Sequence, residues 1–184
     1  MMRRIARRMA WGRYFWMLWK LVEICLLRAG PQELPAAPRF LALVLAGYFL
    51  VDVLISRLSF GLGAAVAVSV LDVLLLAAFV QLVLRMVAKP ERFNQTLAAL
   101  AGTGLLLGLV AYPLIRGLLL AQAAGDAASG LAVLWLAVLA WSLLILGHIL
   151  RHALAVPLIT GVGIGVLYSL LSVMIVRAVF PAGG

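Results

Sequence analysis

The sequence predicts an all-α integral membrane bundle of five transmembrane helices, preceded by an N-terminal interfacial amphipathic helix. Three observations carry that expectation. Of 184 residues, 66% are hydrophobic and 11% charged, against about 45–50% apolar and about 25% charged in an ordinary soluble domain. Five apolar segments are each long enough to cross a hydrocarbon core about 30 Å thick, which takes about 20 residues of helix. An open sheet is excluded at that depth, because without water each amide and carbonyl must be paired within its own segment.

The first element, residues 1–28, begins "MMRRIARRMAWGRYFWMLWKLVEICLL". A basic start followed by an apolar run resembles a secretory signal. Lys20 and Glu23 interrupt the run, however, and no small-residue cleavage site follows, so the segment is expected to be retained. Between Trp11 and Leu27, a helical projection gathers Arg13, Lys20 and Glu23 on one narrow arc, with Trp and Leu over the remainder. That distribution predicts a helix lying in the interface, with its tryptophans at headgroup depth and its arginines on anionic lipid headgroups. A sixth span here would place "KPER" on the outside and invert the charge pattern. Residues 29–39, "AGPQELPAAPR", hold three prolines and cannot continue a helix; they predict a stiff connector.

The transmembrane domain, residues 40–180, divides into spans at about 40–56, 62–87, 96–120, 131–150 and 157–180. Connectors with charge, proline or small polar residues separate them: "SRLSFG", "AKPERFNQ", "AQAAGDAASG" and "RHALAVP". Pro113 removes one helical hydrogen bond and is expected to kink or end the third span near Ala111. With the N-terminus inside, all of the 15 lysines and arginines except Arg57, Arg116 and Arg177 fall on the inner side, as the positive-inside rule requires. The expected location is therefore a bacterial cytoplasmic (inner) membrane, with the C-terminal "FPAGG" outside. The net charge of +9 is read as membrane anchoring, not nucleic-acid binding, because the basic residues crowd at the start and between apolar runs.

Two groups of residues are candidates for function. Asp72 and Asp52 are carboxylates inside spans, where an ionised group costs about 2.5–3.5 kcal/mol on insertion scales. By helical rise Asp72 falls near the midplane and Asp52 nearer the outer end. The functional reading is a proton or cation relay; the bland alternative is a carboxyl hydrogen-bonded to Ser69, Tyr48 or another helix. The second group, Glu91, Arg92, Asn94, Gln95, His148, Arg151 and His152, is expected to form a polar inner surface. His148 and His152 share a helix face at i, i+4, but no HExxH or CxxC spacing accompanies them. They read as a helix end complementing the dipole, with Glu91 the expected partner of Arg151 or a histidine. Asn94 or Thr96 is expected to cap the third span.

Neither the "GVGIGV" run nor the span serines follows a nucleotide-binding or nucleophile-elbow pattern. No catalytic residue, cofactor or metal is expected. Cys25, the one cysteine, reads as a packing residue. The GxxxG pairs Gly104–Gly108 and Gly161–Gly165 permit close helix approach and are faces through which an oligomer is expected to form. Tyr168, Ser169 and Ser172 are expected to hydrogen-bond between helices.

The stretches "GPQELPAAP" and "KPERFNQTLAALAGTGLLLGLVAYPL", about a fifth of the chain, together with a basic N-terminus and five spans on short loops, resemble the Yip1-type membrane proteins, especially the small bacterial members. The DLYGP motif of eukaryotic members is missing, so their association with trafficking GTPases is not carried over. What the resemblance implies is the fold and a non-enzymatic inner-membrane role. Two functions are expected from the whole reading: a non-catalytic protein that docks a membrane partner at the inner face, and, alternatively, a small transporter or channel subunit using Asp72.

Overall fold

A computed structural model of the protein describes residues 16–125 and 129–180. Among them there is no strand. The described part of the first helix, α1, covers residues 16–25. It is followed by α2 (Pro38–Ser56), α3 (Leu62–Met86), α4 (Phe93–Ala124), α5 (Ser129–Leu154) and α6 (Leu158–Val179). All of α2 to α6 are long and apolar enough to cross a membrane, so the protein is a multi-pass helical membrane protein. Residues 1–15, 126–128 and 181–184 lie outside the described residues, so the expected basic start and C-terminal tail are not compared.

The span limits agree with expectation to within a few residues, but α4 and α5 are longer than expected. The expected ending near Ala111 is not found: α4 runs through Pro113. Proline leaves one carbonyl a turn earlier without its amide, a loss that membrane helices absorb by local adjustment and neighbouring groups. At 32 residues, α4 is about 48 Å long by helical rise and exceeds the hydrocarbon core.

The expected capping is also corrected. Helix α4 begins at Phe93 with Arg92 at the N-cap and no side-chain cap bond. Asn94 and Gln95 are engaged elsewhere, and the hydroxyl of buried Thr96 has no partner.

The helices are arranged so that α2 packs on α3 and α4, α5 packs on α4 and α6, and α6 returns to α3 through a thinner contact. One end of the bundle carries Arg85, Lys89, Arg92 and Arg151 and is called the basic end below. The core is concentrated there. It contains Leu76, Val80 and Leu84 of α3, Leu97 to Ala101 of α4, and Ile145, Ile149, Leu150, Ala153 and Leu154 of α5. Beyond Thr103, α4 has no buried residue.

Helix α1 and the connector belong to this core. Leu21 and Ile24 are completely buried, as is Leu34 within 1%, while Trp16 and Trp19 on the other side are exposed. Leu21 seats on Gly102 of α4: a Cβ there would come within 2.5 Å of its Cδ2 atom. Only glycine permits that approach, and the neighbouring Ala98, Ala99 and Ala101 keep the rest of the seat shallow. The connector turns through a short 3-10 helix, Pro31–Glu33, and buries Ala29, Gly30 and Pro31. It is therefore an inserted part of the bundle end and not a tether outside it.

The GxxxG faces are used within the chain. Gly104 lies against Tyr48 and Gly108 against Val51, both on α2, while Gly161 lies on the backbone of Gly147 and Gly165 on Leu146, both on α5. Removing side chains at these positions lets α2 approach α4, and α5 approach α6, closely.

Candidate functional site

Of the expected inner-surface residues, Arg92, Asn94, Gln95 and His148 act on the chain itself. Buried loop backbone needs hydrogen-bond partners, and the basic-end side chains supply them. Gln95 donates through Nε2 to the carbonyls of Leu34 (2.7 Å) and Gln32 (3.2 Å). Asn94 Nδ2 donates to the Ala36 carbonyl at 3.2 Å. His148, 5% exposed, places Nε2 at 3.0 Å from the Ala29 carbonyl, so that nitrogen carries the proton. Arg92 Nη1 donates to the carbonyls of His152 (3.1 Å) and Ala153 (3.2 Å), and Lys89 Nζ donates to that of Leu154 at 3.3 Å. These last three bonds satisfy the orphan carbonyls at the C-terminus of α5 and place cations at its negative pole.

The histidine rings stand edge to face, 4.7 Å between centroids. The expected pairing of Glu91 with Arg151 or a histidine is not formed. Glu91 is exposed, and the ion pairs among the described residues are Lys20 with Glu23 (2.7 Å) and Lys20 with Glu33 (2.8 Å). The reason is geometric: Arg92 and the connector reach the α5 end first, and Glu91 turns outward on the 3-10 turn Pro90–Arg92.

A different arrangement surrounds Asp72. Its Oδ2 accepts from the Tyr48 hydroxyl of α2 at 2.5 Å, and its Oδ1 accepts from the Ser172 hydroxyl of α6 at 3.4 Å. These residues line a cavity of about 280 Å³ with Thr103 and Gly104 of α4, Ser142 of α5, and Tyr168 and Ser169 of α6. Every spanning helix contributes to it. Counted from the basic end of each helix, Tyr48, Asp72, Thr103, Ser142 and Ser172 lie about 15–21 Å deep by helical rise. The cavity therefore sits at mid-depth, where the buried stretch of α4 ends at Thr103.

Among the residues lining it, none is basic. Thr103 donates to the carbonyls of Ala99 and Leu100, Ser142 to that of Leu139, and Ser169 to that of Gly165. Those hydroxyl protons are engaged by their own helices, leaving oxygen lone pairs for a guest. Asp72 thus has two neutral donors and no fixed counter-charge. A carboxylate so placed is balanced by a proton or by a cation that enters the cavity, and exchange between those states is the chemistry the arrangement can perform.

Asp52 stands one turn beyond Tyr48, toward the opposite end, and faces Ser69 of α3. Neither the Asp52 Oδ2 atom nor the fully buried Ser69 hydroxyl has a hydrogen-bond partner of good geometry. The two carboxylates are on adjacent helices but in separate settings, one inside the shared cavity and one beside it.

The sequence points to Asp72 by its charge in an apolar span and names Tyr48 as a partner. Ser172, a hundred residues away, and Thr103 and Ser142 were not foreseen as members of one site. The available signal was a polar residue at equal depth on every span, which becomes informative only once the neighbours of each helix are known. Comparison of the chain with protein-family models, with curated proteins and with solved structures finds no significant match.

Proposed function

We propose that the protein is a small transporter or channel subunit that binds a proton or a monovalent cation at Asp72. The observation that carries this reading is the convergence of all five spans on one mid-depth cavity in which a carboxylate has hydroxyl donors and no basic partner. The docking reading is less supported by the geometry, because Arg92, Asn94, Gln95 and His148 are engaged in holding the connector and the end of α5. Placement in a bacterial inner membrane, with the basic end inside, belongs to the same proposal and rests on the positive-inside rule. The Yip1-like assignment remains a proposal of the same kind; the helical-bundle fold agrees with it.

The test is proton or cation flux into proteoliposomes. Asp72→Asn keeps the shape and removes the charge, and we expect it to abolish flux. Tyr48→Phe removes a hydrogen bond to the charged form of Asp72, worth about 1.5–3 kcal/mol, so the protonated carboxyl is favoured: apparent proton affinity should rise, and that for a competing cation fall, by about tenfold or more. Flux in Asp72→Asn equal to that of the native protein would overturn the reading.

A further inference from the structure

A second space borders the cavity around Asp72. Where α6 meets α3 thinly, an apolar groove of about 510 Å³ opens on the lipid-facing side, lined by Ala78, Phe79 and Leu82 of α3 and Ile164, Leu167 and Leu171 of α6 among others. Its volume falls within the range of about 300–1,000 Å³ that holds drug-sized ligands. The groove runs from Met86 and Leu154 at the basic end to Ser172 and Ile175 at mid-depth. Tyr168 and Ser172 line both the groove and the Asp72 cavity. The partition between the two is therefore made of side chains: Tyr168, stacked on Phe79 with centroids 4.3 Å apart, and Ser172, which donates to Asp72.

We propose that this groove is a lateral port by which a lipophilic organic monocation passes from the bilayer to Asp72. The inference rests on the function proposed above and specifies its substrate class. The groove wall is almost wholly hydrocarbon, which suits an apolar body already dissolved in lipid. Asp72 at its inner end has no Lys, Arg or His in either lining, so a positive guest gains a counter-charge and a negative one meets repulsion. The Phe79 and Tyr168 rings at the partition offer π-faces to a cation on the way in. A phospholipid chain alone would satisfy the groove but not the carboxylate, because its headgroup remains at the membrane surface.

The experiment measures equilibrium binding of tetraphenylphosphonium to the full chain in nanodiscs, with tetraphenylborate, of the same shape and opposite charge, as the control. The expected result is saturable binding of the cation at least tenfold tighter than that of the anion, and a loss of at least tenfold in Asp72→Asn. Ala78→Trp and Leu171→Trp fill the groove from exposed positions on facing helices, and each should weaken cation binding at least tenfold while leaving proton or small-cation flux in place. Equal binding of the two ions, or affinity unchanged by both tryptophan variants, overturns the port and leaves the groove as a place for lipid chains. If flux depends on Asp72 while tetraphenylphosphonium does not bind, only the port falls. If flux is indifferent to Asp72→Asn, the underlying function falls with it.

Discussion

Individual residues divide into those whose role is local in sequence and those whose role is set by a distant backbone group. Asp72 belongs to the first kind, since a carboxylate inside an apolar span is conspicuous in any reading. His148 belongs to the second: its partner is a carbonyl at Ala29, on a segment whose insertion into the bundle nothing in the local pattern announces. The same holds for Gln95, which looks like a helix cap and serves as a clamp on Leu34. Around α1, the ion pairs of Lys20 give a pH dependence that is testable at this scale. The Lys20 ammonium beside Glu33, and then the Gly30 amide, hold the Glu33 carboxyl below its ordinary value. The Glu23 and Glu33 carboxylates hold the Lys20 ammonium above its own. A depressed carboxyl contributes stability above its unfolded value, about pH 4.3, and loses it as pH falls through the lower folded value. A raised amine contributes below its unfolded value, about pH 10.4, and loses that contribution as pH rises through the folded one. The clasp should therefore be complete between about pH 5 and pH 10. Thermal unfolding of Glu33→Gln should show a deficit against the native protein in that window that vanishes in acid. A constant deficit down to pH 2 would show that the carboxylate is not the source.

At the scale of elements, the helices were legible because each is a long apolar run bounded by charge, proline or small residues. Their ends were less so. Three helices end in a non-glycine residue with left-handed backbone, Leu27, Ala88 and Ala155. In each case the following amide bonds back across the turn: Arg28 to Glu23, Lys89 to Leu84, and Val156 to Arg151. Glycine is the usual signal for such an ending, and its absence hid the motif. Since a left-handed L-residue costs about 1–2 kcal/mol and glycine gives back about 0.4–1 kcal/mol through its looser unfolded chain, Ala155→Gly should stabilise the protein by up to about 1 kcal/mol in reversible detergent unfolding. A loss of stability instead would mean the alanine methyl packs more than the backbone strains. The α5 end is also closed from outside by Arg92. Removing its charged bonds to the His152 and Ala153 carbonyls by Arg92→Ala should cost about 1.5–3 kcal/mol and speed amide exchange within the 3-10 turn Pro90–Arg92. Arg92→Lys, a single point donor without the planar fork, should recover only part of that cost.

For the whole molecule, α4 and α5 are buried only toward the basic end, whereas beyond mid-depth burial is confined to α2 and α3 at Val51, Ala65, Val68 and Ser69, and the polar cavity lies at that change. The amphipathic pattern of residues 11–27 made a surface helix the natural expectation, yet in the described part Leu21 and Ile24 are inside. A seat for them exists because α4 carries only small side chains at Ala98, Ala99, Ala101 and Gly102. The sequence does contain that run, but its depth and the helix it receives are properties of the assembled bundle. Cys25 reports on this seat. Burial pushes its thiol up to about 11 from an ordinary value of 9.0. At neutral pH its reactive thiolate is therefore reduced by about a hundredfold, each pKa unit being a factor of ten in thiolate fraction. Its own backbone carbonyl accepts from Trp141 Nε1 at 3.0 Å, so the thiol stays where α1 is docked. Gly102→Leu fills the space that Leu21 occupies and should lift α1 from the bundle, while Leu21→Ala should weaken the same contact by about 2–5 kcal/mol through the cavity it leaves. Both variants should accelerate maleimide labelling of Cys25 at pH 7, Gly102→Leu approaching the hundredfold limit set by the thiolate. Because it is the sole cysteine in the chain, the rate has one source. Labelling as slow in both variants as in the native protein would mean that α1 is held by the connector clamps at Gln95 and His148 and not by its seat on α4.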